Sequence, residues 1–396
     1  MLRSLFSGIS GLKSHQTMLD VTGNNIANVN TTGFKSSSVQ FQDTLSQMVQ
    51  FPAGAQDGQG GTNPAQVGLG VRVAGISTNL TQGSSQLTGK ATDMMIQGDG
   101  YFVVRRGAET FYTRSGAFDF DSLGQMVLPG DGAIVQGWAA GPGGVIDTNA
   151  PLQDLRVQVG TVMNASATTA AAVTGNLDGS AAVGKVVERT VEVYDAAGNA
   201  SELALTFERT ATGWTVTAND DPATAVDLTI QGDGSLTRAD GTPTGSITVG
   251  GVTVGLGALT SQAGADTMQL NTTDGNATGV LQSFAIDASG VITGSFSNGL
   301  RQALGQVAMG SFVNPGGLEK AGGSLLRAGV NSGAAQIGAA GVGGRGTLAG
   351  GALEMSNVDL SNEFTNLIVA QRGFQASSRV ITTSDEVLNE LVNLKR

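Results

Sequence analysis

The sequence predicts a mainly β protein with α-helical termini, nested and multidomain, in which the terminal helices pair as a coiled coil. Three observations predict it. Apolar residues at both ends recur in alternating steps of three and four. Between them lie most of the 60 glycines, against 8 prolines and 5% aromatics, a composition suited to turn-dense β-structure. A Thr/Val/Ala-rich middle segment differs in character from the β-rich sequence on either side of it.

At the N-terminus Leu2, Leu5, Ile9, Leu12, Leu19 and Ile26 form the ladder, with Gln16 and Gly23 in its gaps. A helix from about Leu2 to Asn28 is roughly 40 Å long at ~1.5 Å per residue. It ends in Asn-rich sequence, where Gly33 suits a left-handed turn. Residues 29–66 are expected to be a linker, because Gly58, Gly60, Gly61 and Pro64 break any regular pattern.

Short strands with turn punctuation begin at Val67. Tyr101–Val104 reads as a strand after a Gln97–Gly100 turn, and Asp119–Gln125 reads as a hairpin turn. Residues 67–144 and 285–328 are assigned to an intermediate β-domain. Gly141-Pro142-Gly143-Gly144 marks the boundary of an inserted outer all-β domain, residues 145–284, with hairpin signals at Asp195–Asn199 and Gln231–Gly234. A second glycine-dense linker covers 329–356. The closing segment, 357–396, carries the other ladder: Leu360, Phe364, Leu367, Phe374, Ile381, Leu388 and Val392, with Gln371, Ser378 and Asp385 completing it. Asp359 and Glu363 at its start, and Lys395 and Arg396 at its end, complement a helix macrodipole.

One seam does not clearly hold such a helix. Seven apolar residues at about 1.5–3 kcal/mol each give roughly 10–20 kcal/mol. Ordering about 35 residues costs on the order of 1–2 kcal/mol each before helical hydrogen bonds are counted. Gly373, Ser377, Ser378, Thr382 and Thr383 are also poor helix formers. The terminal helices are therefore expected to order on association, as a polymerisation element, rather than as a self-contained hairpin. Ser4, Ser7, Gly8, Ser10 and Gly11 would let neighbouring helices approach closely.

The chemistry is narrow. A net charge of −11 with only 21 Lys and Arg opposes a nucleic-acid or anionic-membrane partner. The absence of cysteine excludes disulfides, thiolate catalysis and cysteine-held metals. No apolar run of 18 residues predicts membrane insertion, and the N-terminus lacks the pattern of a cleaved signal peptide. Gly341–Gly346 fits the dinucleotide fingerprint by letter only, since no strand precedes it. The Asp-x-x-Gly turns lack the closing glutamate of a calcium loop. His15, the only histidine, lies within the first helix and is expected to be solvated or assembly-facing. Asn164-Ala165-Ser166 and Asn276-Ala277-Thr278 match the glycosylation pattern only as chance would allow. No catalytic, cofactor or metal site is expected.

Four blocks carry a resemblance. Leu19–Lys35, with its Asn24-Asn25-Ile26-Ala27-Asn28 core, resembles the N-terminal signature of bacterial flagellar rod and hook proteins. Ser356–Ala376, with Ala370-Gln371-Arg372-Gly373-Phe374, resembles the C-terminal signature of the same family. Ile96–Phe102 and Tyr112–Phe118 are similar to its β-domain motifs. The resemblance implies an axial protein that polymerises with itself head-to-tail into a curved, flexible tube transmitting motor torque. Because of the large insert it points to the hook rather than the distal rod, with a secreted β-rich adhesin or enzyme as the remote alternative. It implies an assembly interface at Leu5, Ile9, Leu12, Leu19, Asn24, Asn25, Ile26 and Asn28, and at Leu360, Phe364, Leu367, Gln371, Arg372, Phe374, Ile381, Leu388 and Val392. Implied partners are rod and hook–filament junction proteins, a hook cap and the flagellar type III export apparatus. The implied location is the extracellular flagellum, reached without a cleaved signal peptide.

Overall fold

A computed structural model describes every residue except 1, 55, 56, 59, 159, 239–244, 273 and 394–396, and describes Leu2 without its side chain. Lys395 and Arg396, expected to complement the helix dipole, lie outside the described residues.

The two ladders fold into the two long helices, α1 at Leu2–Ala27 and α2 at Leu360–Asn393. Asp359 caps α2, its Oδ1 accepting from the Ser361 amide at 2.8 Å. Both helices form and pair within one chain. This is the self-contained hairpin that the energy argument disfavoured, and the glycines of its seam, described below, explain why it works.

The chain divides into two compact units. The first comprises Met1–Gln158, Phe284–Thr293 and Ala303–Arg396, and the second Val159–Ser283 and Gly294–Gln302. The sequence placed the first crossing at Gly144. Residues 145–158 instead complete the first unit: Gln153 and Asp154 pair with Gly137 and Gln136, and Leu155 and Val157 are buried there. The glycine-rich piece at 141–144 is only a short 3-10 turn.

The expected linkers are also structured. Residues 29–66 hold β1 (Ser37–Asp43), β2 (Ser46–Gln50) and the start of β3 (Ala65–Gly68), and β4 (Val71–Thr78) follows. β1 pairs antiparallel with β4, and β2 with β3, making a long two-stranded ribbon. Residues 329–356 contribute strands at Gln336–Gly338, Thr347–Gly350 and Ala352–Glu354, each pairing with a strand at 85–97 or 309–311. Glycine-rich composition had hidden a backbone that hydrogen-bonds in strands, near ones for 29–66 and distant ones for 347–354.

In the rest of the first unit, Tyr101–Arg106 and Glu109–Thr113 form a hairpin with Val104 opposite Phe111. Its core joins Tyr101, Val103, Tyr112, Trp138 and Phe312. The Phe312 ring meets Tyr112 and Tyr101 edge-on, at centroid distances of 4.7 and 6.0 Å. The Asp119–Gln125 turn forms as read, with the Asp121 carboxylate accepting from the amides of Leu123 and Gln125.

The second unit is a sandwich. One sheet is a five-stranded meander running from Val186 to Arg238, and the other has four strands, with Ala170–Asn176 parallel to Val252–Thr260. Inward residues of both sheets share one core around Trp214, Phe207, Leu205, Leu228, Val254 and Leu256. The Trp214 indole donates to Ser261 Oγ at 3.0 Å, so the largest buried ring leaves no polar atom unpaired.

Candidate assembly interface

The helices run antiparallel, with Gly8 against Ile381 at one end and Asn25 against Glu363 at the other. The centre of the seam between them is not the apolar ladder, whose members such as Ile381 border it. On α1 the fully buried positions are Gly8, Gly11, Ser14, Thr22 and Asn25, and on α2 they are Ala370 and Ser384. This face repeats every three or four residues, as the apolar one does, but lies one residue away in sequence. One residue turns a helix by about 100°, so the two faces are adjacent.

Small residues decide which face packs. A Cβ at Gly11 would lie 2.9 Å from Ser377 Oγ, and one at Gly373 would lie 2.4 Å from the His15 ring. Side chains of the facing helix, Ser377 and His15, occupy the space that a Cβ would need at these points. His15, expected to be solvated or assembly-facing, is half-buried. Its ring fills the notch at Gly373 and meets Phe41 edge-on at 5.9 Å.

The predicted ladders are left at the flanks. Leu5, Ile9, Leu12, Leu19 and Ile26 are half-buried, as are Leu367, Phe374, Ile381 and Leu388. Gln371, Arg372 and Leu360 are exposed, and Phe364 and Val392 are 52% and 67% exposed. A second apolar stripe that sequence reading missed runs along the opposite flank of α2: Val369, Val380, Val387 and Leu391, all exposed. It follows the same three–four rhythm, at 369, 380, 387 and 391, and was legible in that rhythm. α1 thus covers the middle of a wide apolar arc and leaves both sides open.

The signature asparagines serve the root of the helices. Asn25 is 1% exposed; its Nδ2 donates to Ser37 O at 2.8 Å and to Glu363 Oε1 at 3.0 Å, and its Oδ1 accepts from the Ser37 amide. Its hydrogen-bonding groups are consumed within the chain, which corrects its expected place in the assembly interface. Asn28 is half-buried and its Nδ2 bonds back to Asn24 O, while Asn24 is exposed. Burial raises the Glu363 carboxyl above its ordinary value, against the hydrogen bond from Asn25.

Just beyond α1 the chain turns at Gly33, whose φ of +68° is the left-handed conformation expected of it. A side chain there would also strike the Arg114 carbonyl carbon at 2.6 Å. The turn delivers Lys35 to Glu354, with Nζ 2.5 Å from Oε1. Arg114 Nη1 lies 3.4 Å from the other carboxylate oxygen, and the Gly83 amide donates to Oε1 at 3.0 Å. All three charged side chains are at least nine-tenths buried. Burial pushes the Lys35 ammonium below its usual value, opposed by the hydrogen bond and charge of Glu354. Asn357 adds a second tie, accepting from the Ser36 amide and donating to Asn79 O at 2.9 Å. Thus Gly33 and Lys35, Arg114 and Asn357 from three of the four signature blocks meet around Glu354, a residue sequence reading did not single out.

Comparison with known proteins agrees with this convergence. Residues 5–35 match the family described as flagella basal body rod protein. Residues 95–174 match the flagellar hook protein FlgE/F/G D1 domain, and 349–394 the flagellar basal body rod FlgEFG protein C-terminal. The chain is 40% identical to the flagellar hook protein FlgE of Treponema pallidum, covering 100% of both chains. It is 34% identical to the flagellar basal-body rod protein FlgG of Bacillus subtilis, again over 100% of both. The crystal structure of Helicobacter pylori flagellar hook protein FlgE2 superimposes with a TM-score of 0.52 at 14% identity, covering 66% of this chain and 98% of that one, a likeness of fold. With its terminal signatures, β-domain and full-length relatives in agreement, the chain belongs to the bacterial flagellar hook protein family.

Proposed function

We propose that the chain is a structural subunit of the flagellar hook, joining its copies head-to-tail through the apolar flanks of α1 and α2. Hook-protein relatives over the full length support the hook assignment. The observation that carries the interface is the arc left open on α2: apolar side chains on both sides of the helix that α1 covers. A closed dimer would cover one flank. Two open flanks suit a heterologous contact that repeats, which builds a helical polymer.

Nine exposed apolar side chains on α2 (Leu360, Phe364, Ile368, Val369, Val380, Val387, Leu391 and Val392) and α1 (Phe6) are each about half-covered already. Completing their burial is worth roughly 1 kcal/mol apiece, about 9 kcal/mol in all. Association costs on the order of 4–15 kcal/mol, so one contact is marginal and a lattice of several holds. The role is mechanical rather than enzymatic. The subunit works in the extracellular flagellum, exported without a cleaved signal peptide, beside rod, junction and cap proteins. Among the described residues no helix is long and apolar enough to cross a membrane.

The full-length likeness to a rod protein favours one second reading, a rigid distal rod subunit. Electron microscopy of polymer grown from purified protein separates the two: curved, bendable tubes are expected, and straight rigid ones would favour the rod. Polymerisation that persists after deletion of residues 1–28 or 357–396 would defeat both.

A further inference from the structure

Where α1 enters the β-structure of the first unit there is a cleft of about 240 Å³, walled by Phe34, Tyr101, Leu318 and Leu325. Every charged side chain lining it is a cation: Lys35, Arg114 and Lys320. Glu354, the carboxylate that serves Lys35 and Arg114, sits behind them and does not line the cleft. Two features mark the site as incomplete. Arg114 is 7% exposed, and its Nε is buried without a hydrogen-bond partner. Lys320 touches Ser37 Oγ at 3.2 Å and stands 5.4 Å from the Phe34 ring centre, yet among the described residues it has no carboxylate within ion-pair distance.

Lys320 is exposed at the cleft, so water serves it as the chain stands; a docked surface that removed this water without supplying a counter-charge would be costly. Burial already lowers the Lys320 ammonium from its usual value, with no opposing carboxylate. The cleft is smaller than the ~300–1,000 Å³ typical of small-molecule pockets, which suits one inserted side chain. Aromatic and leucine walls leading to cationic heads fit an apolar stem that ends in a carboxylate. The chain itself supplies such groups in surplus, with 32 acidic residues against 21 basic ones.

We propose that this cleft receives a carboxylate side chain from a second copy of the chain, forming a charge-dependent contact beside the apolar one. The proposal rests on the self-assembly reading above. Seating the carboxylate gives Lys320 its counter-ion and places an acceptor before Arg114 Nε, so the contact is sensitive to salt where the apolar flanks are not.

The test measures the critical concentration for polymerisation of full-length protein by sedimentation, between 50 and 500 mM NaCl, for the parent and Lys320→Gln. The substitution is expected to raise the critical concentration about tenfold at low salt and to flatten its salt dependence. Lys320→Arg is expected to restore both. Sodium succinate at constant ionic strength should raise the parent's critical concentration and leave that of Lys320→Gln unchanged. If the parent polymerises and Lys320→Gln polymerises identically at every salt concentration, the cleft proposal is overturned while the assembly reading stands. Tight succinate binding to the monomer with no effect on polymerisation overturns it too, assigning the cleft to a free anion. A parent that never polymerises overturns the assembly reading itself.

Discussion

The second unit and the terminal helix pair solve the burial problem in opposite ways. In the sandwich, Trp214, Phe207, Leu205, Leu228 and Val216 of the five-stranded sheet are 0–1% exposed, sharing one core with Val254 and Leu256 of the other sheet. In the helix pair the fully buried positions are glycine, alanine, serine, threonine and asparagine, while Phe364, Val369, Val380 and Leu391 face outward. One region spends its large apolar side chains on its own stability. The other packs on small residues and holds its large ones for contacts beyond the chain. Where a protein is to be joined to others, folding and association must draw on different faces, or assembly would compete with the fold.

Substitutions can break or sharpen that contrast. Trp214→Ala should cost the second unit about 3–5 kcal/mol, read as faster hydrogen exchange in residues 213–218, and the helices should keep their protection. Glu354→Gln leaves Lys35 and Arg114 buried without their carboxylate. A loss of about 3 kcal/mol in urea unfolding of the first unit is expected, and a loss below 1 kcal/mol would show that the cluster is not a structural tie. Phe364→Ser and Val380→Ser, one on each flank of α2, should each change monomer unfolding by no more than about 0.5 kcal/mol. Both should block polymerisation. If only one does, α2 contacts a neighbour on that side alone.

The smallest effect is a slope with pH. The raised Glu363 carboxyl means that the folded helix pair favours the protonated form. Its stabilisation is complete below the ordinary value of 4.5 and is lost as pH rises through the raised folded value. Glu363→Gln keeps an acceptor for Asn25 without the charge, so this part of the slope should vanish in urea titrations between pH 4 and 7.

The ladder period, the helix at each end, the left-handed Gly33 and the β-rich centre were legible because each is local: spacing and backbone geometry act over a few residues. The packing face of the helices was not. Gly8, Gly11, Thr22 and Asn25 share the rhythm of Leu5, Ile9, Leu12, Leu19 and Ile26, and a hydrophobicity pattern sees only the second set. Glu354 was hidden for another reason. Its partners Lys35 and Arg114 are 319 and 240 residues away, and nothing near it in sequence marks it. The 29–66 and 329–356 stretches read as linkers because their glycine-rich, polar sequence hides the strand period; 29–66 forms a ribbon with the strands that follow it, and 347–354 pairs with strands at 85–97.

By itself, then, the sequence determined that two long amphipathic helices with apolar ladders bracket β-structure. Tertiary structure alone decided which stripe faces inward. Small residues let the helices and the His15 ring pack closely, van der Waals contact rewards that close packing, and the bulkier ladder is thereby left at the flanks.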